Sequence, residues 1–404
     1  MRRFLFTFAL LAATPVMAQE HADMTPDALF MAQARFRDCL VGLWPQAQAR
    51  GIRQDVFERE LNAIEPDMPI IELMRKQPEF EKPLWSYIDT LVTRARIAKG
   101  KQMLAKYKAS WPRMQQQFGV EPAILIALWA VETNFGGNIG GKSVIRSTAT
   151  LACVGRRQDY FRNELLAALE IVQAGDVPSH HLRGSWAGAF GHTQFMPSTF
   201  RPYAVDFDGD GAKNIVDSVP DALASTANNL KQDGWSPGKT WGYEVVLPAN
   251  FNLTLTGQTF TTGEWSAKGV QRTNGKSFPR SDDSASLVLP TGAGGPAFLL
   301  TKNFELLRRY NGSEAYAYAV GHLADRMVGG TSFKTKWPRH IRMLTSNERQ
   351  ELQQRLTAKG FDTGGAEGRL GAKTRAAIRA YQASKGLPAD GFASPQLLQT
   401  LRNS

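Results

Sequence analysis

Residues 123–131, AILIALWAV, are nine apolar residues in succession, and Glu132 follows directly. A helix that is apolar on every face has no side for water and has to be buried. Pro122 suits the first helical turn, where its missing N–H costs nothing, and Gly136 or Gly137 is expected to cap the end. Glu132 then sits in the last turn, at the negative end of the helix dipole. Dipole and burial both disfavour a second negative charge there, so its pKa should be pushed upward. Two readings stay open. Either Glu132 meets a cation, with Arg146, Arg156 and Arg157 as candidates, or it is kept protonated for acid chemistry.

The 404 residues suggest two or three domains. In the stretch DALFMAQARFRDCLVGLW, apolar residues recur at i, i+3, i+4 and i+7, which predicts a helix. Helices are also expected over DYFRNELLAALEIVQAG, closed by Gly175, over VPDALASTANNLKQDGW, with Pro220 near its start, and over FELLRRYNGSEAYAYAVGHLADRM. YEVVLPANFNLTLTGQTF, WSAKGVQRTNG and SASLVLPTG are short Val-, Thr- and Leu-rich runs broken by Gly, Pro and Asn. They predict a small antiparallel β insert at about 240–300 in an otherwise helical protein. From residue 345 onward, NERQELQQRLTAKGF and AKTRAAIRAYQASKG read as helices with Gly stops, and an acid-Gly turn recurs at Glu367 and Asp390. Residues 345–404 are therefore expected to form a compact binding module of three short helices. The fold class is mainly α (α+β).

MRRFLFTFALLAATPVMAQE has the three parts of a secretory signal over residues 1–18: basic Arg2 and Arg3, apolar Phe4 to Val16, and a Val16-Met17-Ala18 cleavage site. The apolar run is too short to span a bilayer, and no Cys near the cut offers a lipid anchor, so a soluble exported protein is expected. Export permits a disulfide; Cys39 and Cys153 either pair or remain two buried thiols. Two cysteines and six scattered histidines offer no zinc-type cluster. The formal charge of +11 becomes 11 − 2 = +9 once Arg2 and Arg3 leave with the signal. Export and the lack of basic runs interleaved with aromatics argue against nucleic acid. An anionic extracytoplasmic polymer fits the charge, as does a solvated basic surface.

In DFDGDGAKNIVD, Asp206, Asp208 and Asp210 stand at positions 1, 3 and 5, Gly211 at 6 and Asp217 at 12, close to an EF-hand loop. Ala212 can supply only its carbonyl. Three carboxylates this close repel without a cation, so a weak structural Ca²⁺ site is expected; an acidic loop holding Na⁺ or nothing is the other reading.

VETNFGGNIG, together with GSWAGAFGHTQFMPSTFRPYAVDFDGDG, resembles the membrane-bound lytic murein transglycosylase B family across most of residues 25–340. The resemblance implies a lysozyme-like catalytic core within residues 19–344. It implies cleavage of the β-1,4 bond between N-acetylmuramic acid and N-acetylglucosamine, with the muramic 6-hydroxyl closing onto C1 to leave a 1,6-anhydro end. Glu132 would be the single general acid/base, and no cofactor would be needed for catalysis. Ser185 matches a serine near the substrate acetamido group and Gln194 a substrate-binding glutamine. Arg156, Arg157 and Tyr160 match one cleft wall; Tyr310, Asn311 and Tyr316 match another, and Tyr87 a further cleft tyrosine. In the family the acidic loop is longer and closes at Asp221, whereas the spacing here points to Asp217. Both stay open as ligands. LQQRLTAKGF and EGRLGAKTRAAIRAYQASKGLPADG resemble the three-helix peptidoglycan-binding domain. The implied protein is a periplasmic monomer with peptidoglycan glycan strands, and other cell-wall enzymes, as partners. The rivals are a hydrolytic muramidase and a non-catalytic wall-binding protein.

Overall fold

The computed structural model describes residues 26–75 and 83–404; the expected secretory signal lies outside them. The described residues fall into two compact units. One holds residues 26–75, 139–202 and 209–217, and the other residues 83–138, 203–208 and 218–404.

The second unit is built around the Pro122–Thr133 helix, whose Leu125, Ile126, Ala127 and Leu128 are wholly buried. It packs against the helices Glu314–Met327, Arg94–Lys106 and Val219–Gln232. Trp111, Trp129, Trp241, Phe304 and Tyr318 complete that core. Each fully buried side chain of this size contributes about 1.5–3 kcal/mol, which fixes the helix before any polar contact is made.

The β insert is a five-stranded antiparallel sheet in the order Thr259–Thr261, Ser284–Val288, Ala297–Leu300, Gly242–Val246, Gln271–Arg272. Val245, Trp265, Leu287 and Leu299 form its core. Part of the expected strand WSAKGVQRTNG is helix instead. Thr262–Ala267 starts on a capping box in which Thr261 and Glu264 satisfy each other's backbone amides. Two expected helices are also divided. Gly312, at φ 79°, separates Lys302–Asn311 from Glu314–Met327. The first predicted helix is Pro26–Ala34 and Phe36–Val41, interrupted at Arg35 (φ −95°, ψ 8°), and its last residue, Trp44, opens a further helix, Trp44–Ala49, with Pro45 in the first turn. Its opening segment buries no side chain, and Phe30 is 71% exposed, so the apolar spacing there does not report a core face.

Three helices close the chain, Ser346–Ala358, Ala372–Ser384 and Pro395–Arg402, around Leu352, Leu356, Ile378, Tyr381, Leu398 and Leu401. In the first unit the Val144–Cys153 helix packs on Gln158–Ala174 and on Phe36–Val41, where a disulfide joins Cys39 to Cys153. The strands Lys142–Ser143 and Arg183–Gly184 pair antiparallel beside it. Among the described residues no helix is long and apolar enough to cross a membrane.

Candidate active site

The buried helix does not end on a glycine. Asn134 (φ 51°, ψ 51°) takes the left-handed cap and Phe135 (φ 61°) follows it in the same region. Asn tolerates this conformation better than other residues with a side chain. The Phe135 amide donates to the Trp129 carbonyl at 3.3 Å, and the Gly136 amide to Thr133 Oγ1 at 3.1 Å, so the exit is fixed by hydrogen bonds.

One turn back, burial pushes the Glu132 carboxyl up to about 7. Tyr316 Oη donates to Glu132 Oε1 at 2.6 Å and opposes that shift, because the bond favours the carboxylate. Burial is the cause of the rise, and among the described residues no neighbouring carboxylate contributes to it. The Tyr316 phenol is itself pushed well above its ordinary value, by burial first and then by Glu132, Tyr310 and Tyr87. Tyr310 lies parallel to Tyr316 with ring centroids 6.3 Å apart, and Tyr87 packs on the same core. Tyr316 was expected as a cleft-lining residue. At 1% exposure it is instead a buried donor to the acid, while Asn311 is exposed at the end of its helix.

The other predicted substrate residues belong to the first unit. Ser185 Oγ accepts from the Ala189 amide at 3.1 Å, closing the turn inside GSWAGAF. Gln194 holds φ 55°, and its side-chain amide donates to the carbonyls of Ile139 and Gly191, each at 3.0 Å. Arg157 holds φ 57°, with its guanidinium 4.2 Å from the Tyr160 ring centroid. Arg156 Nε is buried without a hydrogen-bond partner. Arg146, one candidate partner for Glu132, donates to the Glu65 carbonyl at 2.8 Å. Among the described residues the non-glycine positive φ angles are those of Asn134, Phe135, Arg157 and Gln194. All four fall inside the motif segments TNFGG, GRRQDY and HTQFM. Strain of this kind persists only where its surroundings hold it, and it clusters at functional sites. Glu164 was not singled out in the sequence. It is fully buried, and its two oxygens accept from Ser198 Oγ at 2.6 Å and the Ser198 amide at 2.9 Å, anchoring the end of the GHTQFMPS segment. Within an amphipathic helix, nothing marks such an acid from its neighbours.

Along the continuous acidic loop, oxygens of Asp206, Asp208 and Asp210 lie within 4.8 Å of one another, a donor set suited to a hard cation. Asp217 is turned to His181 Nδ1 and Asn214 Nδ2, both at 3.0 Å. Asp221 is fully buried and accepts from the amides of Phe207, at 2.7 Å, and Asp208, at 3.2 Å. The Ala212 amide donates to Asp210 Oδ1 at 2.9 Å.

A model of the Transglycosylase SLT domain matches residues 35–325. The chain belongs to this family. As a member it is a lytic transglycosylase, an enzyme with a mainly α, lysozyme-like fold. A peptidoglycan binding domain model matches residues 345–401. Membrane-bound lytic murein transglycosylase B of Escherichia coli K12 is 33% identical over 259 residues, 63% of this chain and 70% of the relative. SltB3 of Pseudomonas aeruginosa, solved in complex with NAG-anhNAM-pentapeptide, aligns with a TM-score of 0.86 and 45% identity, covering 91% of this chain and 99% of the other. The E. coli lytic transglycosylase Slt35, solved in complex with calcium, aligns with a TM-score of 0.59 and 29% identity over 74% of this chain and 92% of the other.

Proposed function

We propose that this lytic transglycosylase cleaves the β-1,4 bond between N-acetylmuramic acid and N-acetylglucosamine in peptidoglycan, with Glu132 as its single acid and base. The observation that carries the reading is a carboxyl raised to about 7 by burial, with a tyrosine as its donor and no carboxylate behind the shift. Two-carboxylate glycosidases place a second acid as nucleophile or base. A lone acid instead leaves those roles to the substrate. Protonated Glu132 gives its proton to the glycosidic oxygen as the C1–O bond breaks, and the N-acetyl group stabilises the positive charge at C1. The carboxylate then takes the proton of the 6-hydroxyl as the C1–O6 bond forms. The proton returns to Glu132, no water is consumed, and a 1,6-anhydro end is left. The anhydromuramic ligand in the Pseudomonas relative accords with that product. Ser185, Gln194, Arg156, Arg157, Tyr160, Tyr310, Asn311 and Tyr87 are assigned to substrate binding, and the buried Tyr316 to setting the Glu132 proton.

Asp206, Asp208 and Asp210 would hold a structural Ca²⁺, supported by their convergence and by the calcium complex of the E. coli relative. Bound there, the ion would neutralise the loop and take no part in bond cleavage. An extracytoplasmic, periplasmic place follows from the substrate. Mass spectrometry of digested sacculi tests the reaction: 1,6-anhydro ends are expected, and reducing ends would show a water-using muramidase.

A further inference from the structure

The three C-terminal helices are docked onto the rest of their unit at named points, as a loosely tethered module would not be. Arg375, in the Ala372–Ser384 helix, donates through Nη2 to Glu314 Oε2 at 2.7 Å. The Ala293 amide, in the turn before the last strand of the β insert, donates to Asp390 Oδ2 at 2.9 Å. Asp390 is held in turn by Gln382 Nε2 at 2.8 Å and the Phe392 amide at 2.9 Å. Gly257, also in the insert, lies so close to the Arg379 guanidinium that a Cβ there would stand 2.8 Å from Nη2.

The Arg375 contact differs from the other two in what it touches. Glu314 opens the Glu314–Met327 helix, and two residues later Tyr316 donates to Glu132. Ser313 Oγ caps the same turn by accepting the Tyr316 amide at 3.4 Å. Tyr318, next along this turn, is fully buried between Trp241, Phe298 and Phe304 and senses both Glu314 and Arg375. The first five residues of this helix therefore carry the docking carboxylate, the donor to Glu132 and a large core aromatic. The pair is partly open to solvent, 32% of the Arg375 and 39% of the Glu314 side chain, and what it supplies is direction: a charge-assisted hydrogen bond of 2.7 Å fixes where the two groups stand.

We propose that the C-terminal module belongs to the catalytic apparatus. Arg375 is a positioning residue, and through Glu314 it holds the helical turn from which Tyr316 reaches Glu132. This rests on Glu132 being the acid, as proposed above.

The test uses the full chain and measures kcat and KM on purified glycan strands, with melting temperature recorded for each variant. Arg375→Met and Glu314→Gln should each lower kcat about fivefold or more, the lower end of ordinary site-to-site coupling, with KM moving less than about twofold. The charge-swapped double variant, Arg375→Glu with Glu314→Arg, should recover most of kcat, which a general loss of packing would not allow. If a single variant melts early, Arg375→Lys, which keeps the cation, should restore kcat. Unchanged kcat in both single variants, a change confined to KM, or a swap and a Lys variant that both stay slow would each overturn the coupling. A wild-type protein that forms no anhydro ends would instead sink the proposed reaction.

Discussion

At the scale of single residues, the sign of the Glu132 shift sets the direction of two measurements. The carboxyl is raised from 4.5 to about 7, so the protonated form persists across a window where an unfolded chain would already be ionised. Activity that needs this proton should be full below about 7 and fall as pH rises through it. Stability runs the same way: it is lost as pH climbs from about 4.5 to 7, by at most about 3 kcal/mol. Glu132→Gln should therefore abolish cleavage, yet melt above the wild type at pH 8 and level with it near pH 4.5. A variant that melts below wild type at pH 8 would contradict the buried-acid reading. Tyr316→Phe removes the bond that favours the carboxylate, so the alkaline limb should move up by about one pH unit. A limb that moves down would assign Tyr316 another role. The buried, proton-holding carboxyl was legible in the sequence, because the apolar helix around Glu132 announces burial and burial is what raises it. Its donor was not, since Tyr316 lies 184 residues away and only packing brings the two together.

At the scale of elements, local chemistry decided what hydrophobic period misread. The Thr262–Ala267 helix carried its signal in Thr261 and Glu264, a capping box hidden inside a Val- and Thr-rich region that otherwise reads as strand. Gly312 was visible too, but a run of helix formers on both sides masked it as a break. The GSWAGAF turn shows the reverse case, where sequence marks a segment without giving its geometry. Gly184 pairs with Phe190 across the turn, and a Cβ there would stand 2.0 Å from the Ala189 carbonyl oxygen. Backbone cannot yield as a flexible side chain would, so Gly184→Ala should cost about 2 kcal/mol or more and displace Ser185. The check is paired: a lower melting temperature together with weaker binding of glycan fragments. Wild-type binding at a lowered melting temperature would separate Ser185 from the substrate.

At the scale of the whole molecule, the order of parts followed from composition: a helical stretch, a β insert, more helix, then a short module with its own core. The docking of that module did not follow, because Arg375–Glu314 and Asp390–Ala293 join residues 61 and 97 positions apart. The cysteines posed the same problem, since sequence permits a bridge but cannot supply the distance between Cys39 and Cys153. Their Cα atoms are 5.9 Å apart and the two are bonded. The bridge ties the Phe36–Val41 helix to the end of Val144–Cys153 across 114 residues of chain. A loop of that length restricts the unfolded ensemble by about 4–5 kcal/mol in the chain-entropy account. Reductant, or Cys39→Ser with Cys153→Ser, should therefore lower the melting temperature clearly. At room temperature kcat should survive, because Glu132 and Tyr316 belong to the other unit and depend on its own core. Any loss should appear in KM, since Arg156, Arg157, Tyr160, Ser185 and Gln194 belong to the bridged unit. If reductant leaves the melting curve unchanged, the bridge contributes nothing to the folded state. If it stops turnover while the fold persists, the bridged unit sets the substrate more tightly than its internal contacts indicate.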